Sequence, residues 1–127
     1  GSGRNPNDSD FRCINWETGS VQWMHWFRAR EHPDERNERV SVLAIDDYII
    51  ALGEYGTLRL LRPSPEQFEV VKSARLDGLR ADDGRPLLQA PCWAAPVVAD
   101  GRLYLRGRER LVCMQLIPSA TTTLEQK

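Results

Sequence analysis

Two histidines, His25 and His32, stand seven residues apart. The first falls in an apolar run and the second in a charged stretch beside Pro33 and Asp34. Their spacing does not make a ligand pair by local geometry. A metal site would need Asp34 folded back, and an edge or surface histidine is the simpler reading. Asp77, Asp82 and Asp83, near Gly78 and Gly84, have the composition of an oxygen-ligand loop. They lack the alternating acids and closing Glu of an EF-hand loop, so a solvated turn is expected. Glu54, in Gly53-Glu54-Tyr55-Gly56, is read the same way, as a hairpin tip. Arg102, Arg106, Arg108 and Arg110 form a basic group suited to phosphate or carboxylate. Strand alternation puts Arg102 and Arg106 on one face, and Glu109 neutralises part of the charge. A solvated or salt-bridged face is the plain reading, an anionic partner the alternative. Trp16, Trp26 and Tyr55 could line an aromatic ligand patch, although packing between sheets uses them more economically.

The three cysteines, Cys13, Cys92 and Cys113, are an odd set and include no C-x-x-C pair. They read as buried free thiols rather than a disulfide framework or metal site. The sequence holds no G-x-S-x-G elbow, H-E-x-x-H pair, P-loop or dinucleotide fingerprint. No catalytic residue, cofactor or metal site is assigned from these patterns.

The elements that must position these residues are short. At 127 residues the chain is one domain or part of one. A hydrophobic fraction of 41% supports a core. A formal net charge of -1 gives no electrostatic case for nucleic acid or an anionic membrane surface. No stretch approaches the roughly 18–20 apolar residues of a membrane-spanning helix. Residues 1–10 are polar, without the apolar centre of a signal peptide, and read as an N-terminal segment or tag.

Alternating apolar runs between turn residues predict an all-β chain. Strands are expected at residues 11–15 and 21–28, joined through Thr18-Gly19. A charged stretch at 30–39 reads as a solvated loop because Pro33 interrupts it. Further strands are expected at 40–45, 48–52, 57–61 and 68–74, a four-stranded meander with turns at Asp46-Asp47, residues 53–56 and residues 63–66. Residues 76–89, rich in Asp, Gly, Arg and Pro, read as a loop between units. Strands then follow at 93–98, 102–105 and 110–117, the first two joined by an Asp100-Gly101 hairpin turn. Residues 118–127 read as a flexible tail.

The pattern repeats. Residues 45–53 align with 99–107 at the turn, the alternating strand and a closing glycine, Gly53 or Gly107. Residues 58–61 then align with 111–114 and with 11–14. A period of roughly 50 residues is in the range of propeller blades.

Two motifs carry a family resemblance. Cys13-Ile14-Asn15-Trp16-Glu17-Thr18-Gly19-Ser20-Val21-Gln22-Trp23 resembles the A-x-D-x-x-T-G-x-x-x-W signature of the PQQ-like β-propeller repeat, with Cys for Ala and Asn for Asp. Trp93-Ala94-Ala95-Pro96-Val97-Val98-Ala99-Asp100-Gly101-Arg102-Leu103-Tyr104 resembles the first hairpin of the same repeat. The middle unit departs from it: residues 60–68 lack the Thr-Gly turn and carry two prolines, with Phe68 in place of the docking Trp.

The resemblance implies antiparallel four-stranded blades in a partial propeller: an outer half-blade at 11–28, a full blade at 40–74 and a partial blade at 91–117. It implies structural roles for Cys13, Asn15, Thr18, Gly19, Trp23, Trp93, Pro96 and Gly101, with Trp23 fastening neighbouring blades. Three units cannot close a ring of four to eight blades. The expected partners are therefore remaining blades or other copies of the chain, with a protein partner beyond them. The function implied is a non-catalytic interaction or ligand-binding scaffold, as in bacterial outer-membrane assembly lipoproteins of this type. The alternative is a piece of a quinoprotein oxidoreductase whose PQQ and active site lie in other blades. Catalytic members carry adjacent cysteines, a catalytic Asp and calcium ligands, and no Cys-Cys pair occurs here. A carbohydrate- or polymer-binding module is a third class. A periplasmic or secreted location is implied by the resemblance alone.

Overall fold

The computed structural model describes residues 10–27 and 38–116. The expectations for the loop at 30–39 up to residue 37, for His32 and Asp34, and for the tail at 118–127 lie outside those residues. The described chain is all-β, with nine strands and no α-helix. The strands are β1 (Asp10–Ile14), β2 (Val21–Trp26), β3 (Val40–Ile45), β4 (Tyr48–Gly53), β5 (Thr57–Arg62), β6 (Glu69–Arg75), β7 (Val97–Ala99), β8 (Arg102–Arg106) and β9 (Leu111–Gln115). They form three antiparallel meanders ordered β1-β2, β3-β4-β5-β6 and β7-β8-β9.

Turn chemistry explains the hairpins. Asp46 and Asp100 adopt φ of 47° and 49° at equivalent turns, a conformation that Asp tolerates better than most residues. In the first hairpin the Asn15 side chain accepts the backbone N–H groups of Glu17 and Thr18. Gly19 completes that turn at φ 72°. Each outer hairpin also carries a register irregularity at the same place, Cys13/Ile14 in one and Leu60/Leu61 in the other. The aligned segments thus share a bulge as well as a residue pattern.

Alternation sends the two faces of the middle sheet to different cores. Ala51, Leu61 and the half-buried Ile49 join Phe11, Phe27 and Trp23 of the first sheet. Ile50, Leu52, Leu58 and Leu60 join Leu103, Leu105 and Val112 of the third, with Leu76, Leu88 and Cys92 from the connecting segment. The three meanders therefore stack face to face, with the four-stranded sheet in the centre.

Three expectations need correction. The strand foreseen at 93–98 shrinks to β7, and Trp93–Pro96 is not part of it. Pro91 and Pro96 remove ladder donors there, and the Cys92 N–H instead donates to the Glu54 carbonyl at 2.8 Å. The thiols are not uniformly buried: Cys92 is, Cys13 is intermediate and Cys113 is exposed on the edge strand β9. The His25 ring, on the edge strand β2, is half-buried rather than a free surface group. It stacks on Phe68 at 3.9 Å and meets Phe27 edge-on at 5.0 Å.

Candidate functional site

The hairpin β3-β4 pairs Val40 with Gly53. The residues just beyond that rung, Arg39 and Glu54, are therefore brought opposite each other at one end of the stack. The segment before β7 and the β8-β9 turn meet the same end, through Cys92 N–H to Glu54 O and Arg108 N–H to Gln89 O at 2.9 Å. Glu54 is the centre of this loop end. It is only 4% exposed. Its Oε2 accepts from Arg39 Nε at 3.0 Å, Arg39 Nη2 at 2.6 Å and the Trp93 indole Nε1 at 3.0 Å. Its Oε1 accepts the Arg39 backbone N–H at 3.2 Å. Burial opposes ionisation, but the hydrogen bonds from Arg39 and Trp93 outweigh it and hold the carboxyl below its usual range.

Trp93 is the exposed part of this arrangement. The residue is 62% exposed, yet its indole nitrogen is fixed by Glu54, and its carbonyl accepts from Ser41 Oγ at 2.9 Å. The Arg39 guanidinium carbon lies 5.2 Å from the ring centre, within cation–π range. A large aromatic is thus held in one orientation with much of its surface in water. Such a group can bind a partner without first losing rotamer freedom.

Beside it, a second ion pair is fully enclosed. Glu38 and Arg59 are 0% and 3% exposed, with Glu38 Oε1 and Arg59 Nη1 2.8 Å apart. The Glu38 carboxylate occupies the space where a Cβ on Gly53 would stand, so a larger residue there would have to displace it. Its Oε2 accepts the Tyr55 N–H at 3.4 Å. Desolvation raises the carboxyl above its usual value, against the lowering effects of Arg59 and the hydrogen bonds. The Arg59 guanidinium also lies 4.5 Å from the centre of the Phe27 ring. The pair therefore touches the contact between the first and middle sheets. In the third sheet the corresponding positions are apolar. Arg59 pairs with Ala51 as Val112 pairs with Leu105, and Leu88 reaches towards Gly107 as Glu38 reaches towards Gly53.

The sequence-derived candidates are distributed as follows. The Trp23 indole donates to the Ser64 carbonyl of the middle sheet at 2.8 Å, and its ring meets Phe11 and Phe68. The Thr18 and Ser20 hydroxyls are hydrogen-bonded in the first turn. Gly101, at φ 69°, follows Asp100 in the β7-β8 turn. Trp16, 97% exposed, and Trp26 sit at opposite ends of the β1-β2 hairpin, which rules out one patch shared with Tyr55. Of the four arginines, Arg102 and Arg106 stand at the two ends of β8, Arg108 lies in the β8-β9 turn, and Arg110 is bonded to Asp83 at 2.8 Å. The bonds from Arg110 and Arg85 draw the Asp83 carboxyl down to about 2. Glu54 is not a solvated tip but the buried centre of this loop end. Pairing the strands about Asp46-Asp47 places 39 opposite 54, so a buried charge pair was legible in the register. The involvement of Trp93 required the fold of the 76–96 segment.

Among the described residues no group of three or more His, Cys, Asp or Glu side chains could hold a metal ion. No helix there is long and apolar enough to cross a membrane. Comparison with protein-family models, curated proteins and solved structures finds no match for this chain.

Proposed function

We propose that the chain is a segment of a PQQ-like β-propeller that acts as a non-catalytic protein-interaction scaffold, with the loop end around Trp93 as its contact surface. The propeller reading is supported by successive antiparallel meanders stacked face to face and by the repeated bulge and turn positions. The single observation that carries the interaction reading is Trp93: an exposed indole pinned by a buried carboxylate and flanked by Arg39. Trp and Arg are the residues in which binding energy concentrates at protein interfaces, and a rigid aromatic costs little entropy to immobilise.

The test is photo-crosslinking in the native host from the neighbouring exposed site Ala94, comparing the parent with Trp93→Ala. A discrete protein adduct that weakens at least tenfold in the variant, with an unchanged circular dichroism spectrum, is expected. Equal crosslinking by the two proteins would remove Trp93 from the contact. An adduct to glycan instead of protein would replace the scaffold reading with a polymer-binding one.

A further inference from the structure

Alternation along β8 turns Leu103 and Leu105 into the core and Arg102, Tyr104 and Arg106 outward. Strand register sets Val97 and Cys113 on either side of Tyr104, and Leu111 beside Arg106. Val97 and Leu111 are 55% and 62% exposed, and Cys113 is exposed as well. An apolar strip thus lies in water between two arginines. Neither arginine has a carboxylate partner among the described residues, and Arg106 Nε donates only to the neighbouring Gly107 carbonyl at 3.1 Å. Arg39, Arg62, Arg85 and Arg110, by contrast, are each bonded to an acid. The nearest acids in the chain, Asp100 and Glu109, stand in the two turns of this sheet, and Glu109 faces Arg85 at 3.4 Å.

The internal repeat shows how this face differs from a buried one. Tyr104, Leu111 and Cys113 align with Ile50, Leu58 and Leu60 of the middle sheet, the residues on which the third sheet packs. Arg106, however, stands where the middle sheet has the fully enclosed Leu52. A further aliphatic sheet there would bury a guanidinium without a counter-ion, which is strongly unfavourable. A second copy offers no better match. The exposed side of its first hairpin presents Arg12, Ile14 and Met24, and the one acid in those two strands, Asp10, is buried and bonded to Arg12. We infer that the outward face of the third sheet binds an acidic amphipathic helix of a partner protein. Arg102 and Arg106 are four residues apart on one strand, about 13 Å. Acids seven residues apart share one helix face and lie about 10 Å apart along it, and the long arginine stems take up the difference. Apolar residues between those acids then rest on Tyr104, flanked by Val97, Cys113 and Leu111. The site does not involve Trp93 and stands or falls independently of the contact proposed there.

The probe is a synthetic helical peptide of Ala and Gln with Glu at its first and eighth contact positions and Leu at the fourth and fifth. It is titrated into the full chain and followed by amide NMR. Saturable shifts are expected at residues 102–106 and 111–113. Arg102→Glu combined with Arg106→Glu, both at exposed positions, should weaken binding at least about tenfold, because like charges then face each other. A peptide with Lys in place of both Glu should recover that loss. Leu111→Asp should also weaken the original peptide, and Trp93→Ala should bind it like the parent. The proposal is overturned if the parent shows no saturable shift, if the double charge reversal binds equally well, or if the Lys peptide fails to recover the loss. It is also overturned, in favour of nucleic acid, if a single-stranded oligonucleotide displaces the peptide. A concentration-dependent dimer that Leu111→Asp dissolves would overturn it in favour of a second copy.

Discussion

Glu38 and Arg59 place two charges where the next sheet has Leu88 and Val112. Enclosing a carboxylate and a guanidinium costs several kcal/mol per ion, and their attraction offsets this only when the geometry is good. The internal comparison supplies the apolar alternative that the same backbone accepts. Glu38→Leu alone takes the Glu38 carboxylate away from the buried guanidinium and should cost about 3–5 kcal/mol in urea unfolding. Glu38→Leu with Arg59→Val copies the third sheet and should recover the whole loss, ending between neutral and about 4 kcal/mol more stable than the parent. A double variant as unstable as the single one would show that the pair is a net source of stability. The pH dependence follows from the raised Glu38 carboxyl. The folded chain keeps its proton to a higher pH than the unfolded chain does. The stability contributed by Glu38 is therefore full below the usual carboxylate range and declines as pH rises through the folded value. The double variant should lack that decline.

The strands and turns were largely legible because they depend on local rules: alternation, Asp-Asp and Asp-Gly turns, and the Asn15 and Gly19 turn. β3 to β6 fall within one or two residues of the sequence reading. What the sequence left hidden depends on one element meeting another. The His25 ring lies on Phe68 because β2 packs over the corner before β6, a contact across more than forty residues. The role of Trp93 arises where the proline-rich segment before β7 crosses the β4-β5 turn. The first hairpin tests how such contacts hold an element. Two strands alone are marginal in water, so β1-β2 depends on its aromatic seat on the middle sheet. Trp23 joins that seat to Phe11 and Phe68 and donates to Ser64 O. Trp23→Ala should cost about 3 kcal/mol, the low end for removing a buried aromatic. Trp16→Ala, in the exposed turn, should stay within about 0.5 kcal/mol of the parent. Equal losses from both would show that the hairpin is not seated through Trp23.

At the scale of the whole molecule, the two contacts of the middle sheet differ in kind. One joins it to a two-stranded hairpin through aromatic rings and the Glu38–Arg59 pair. The other joins it to three strands through an aliphatic core that encloses Leu52, Leu76, Leu88, Leu103 and Leu105. Elements with fewer enclosing strands open at lower free energy than the core does. The three free thiols report on this directly. Cys113 faces solvent, Cys13 is half-buried in the first hairpin and Cys92 lies in the aliphatic core. Burial pushes the Cys92 thiol up to about 11, with Glu38 and Asp77 adding to the effect, and the thiolate is the reactive form. Labelling with a neutral disulfide reagent should modify Cys113 in the native protein. Cys13 should follow through a local opening whose rate changes little at low urea. Cys92 should react last, through an opening as sensitive to urea as global unfolding. Coincident protection of Cys13 and Cys92 at every urea concentration would mean that the three sheets open as one cooperative unit, and the weaker attachment of the first hairpin would then be wrong.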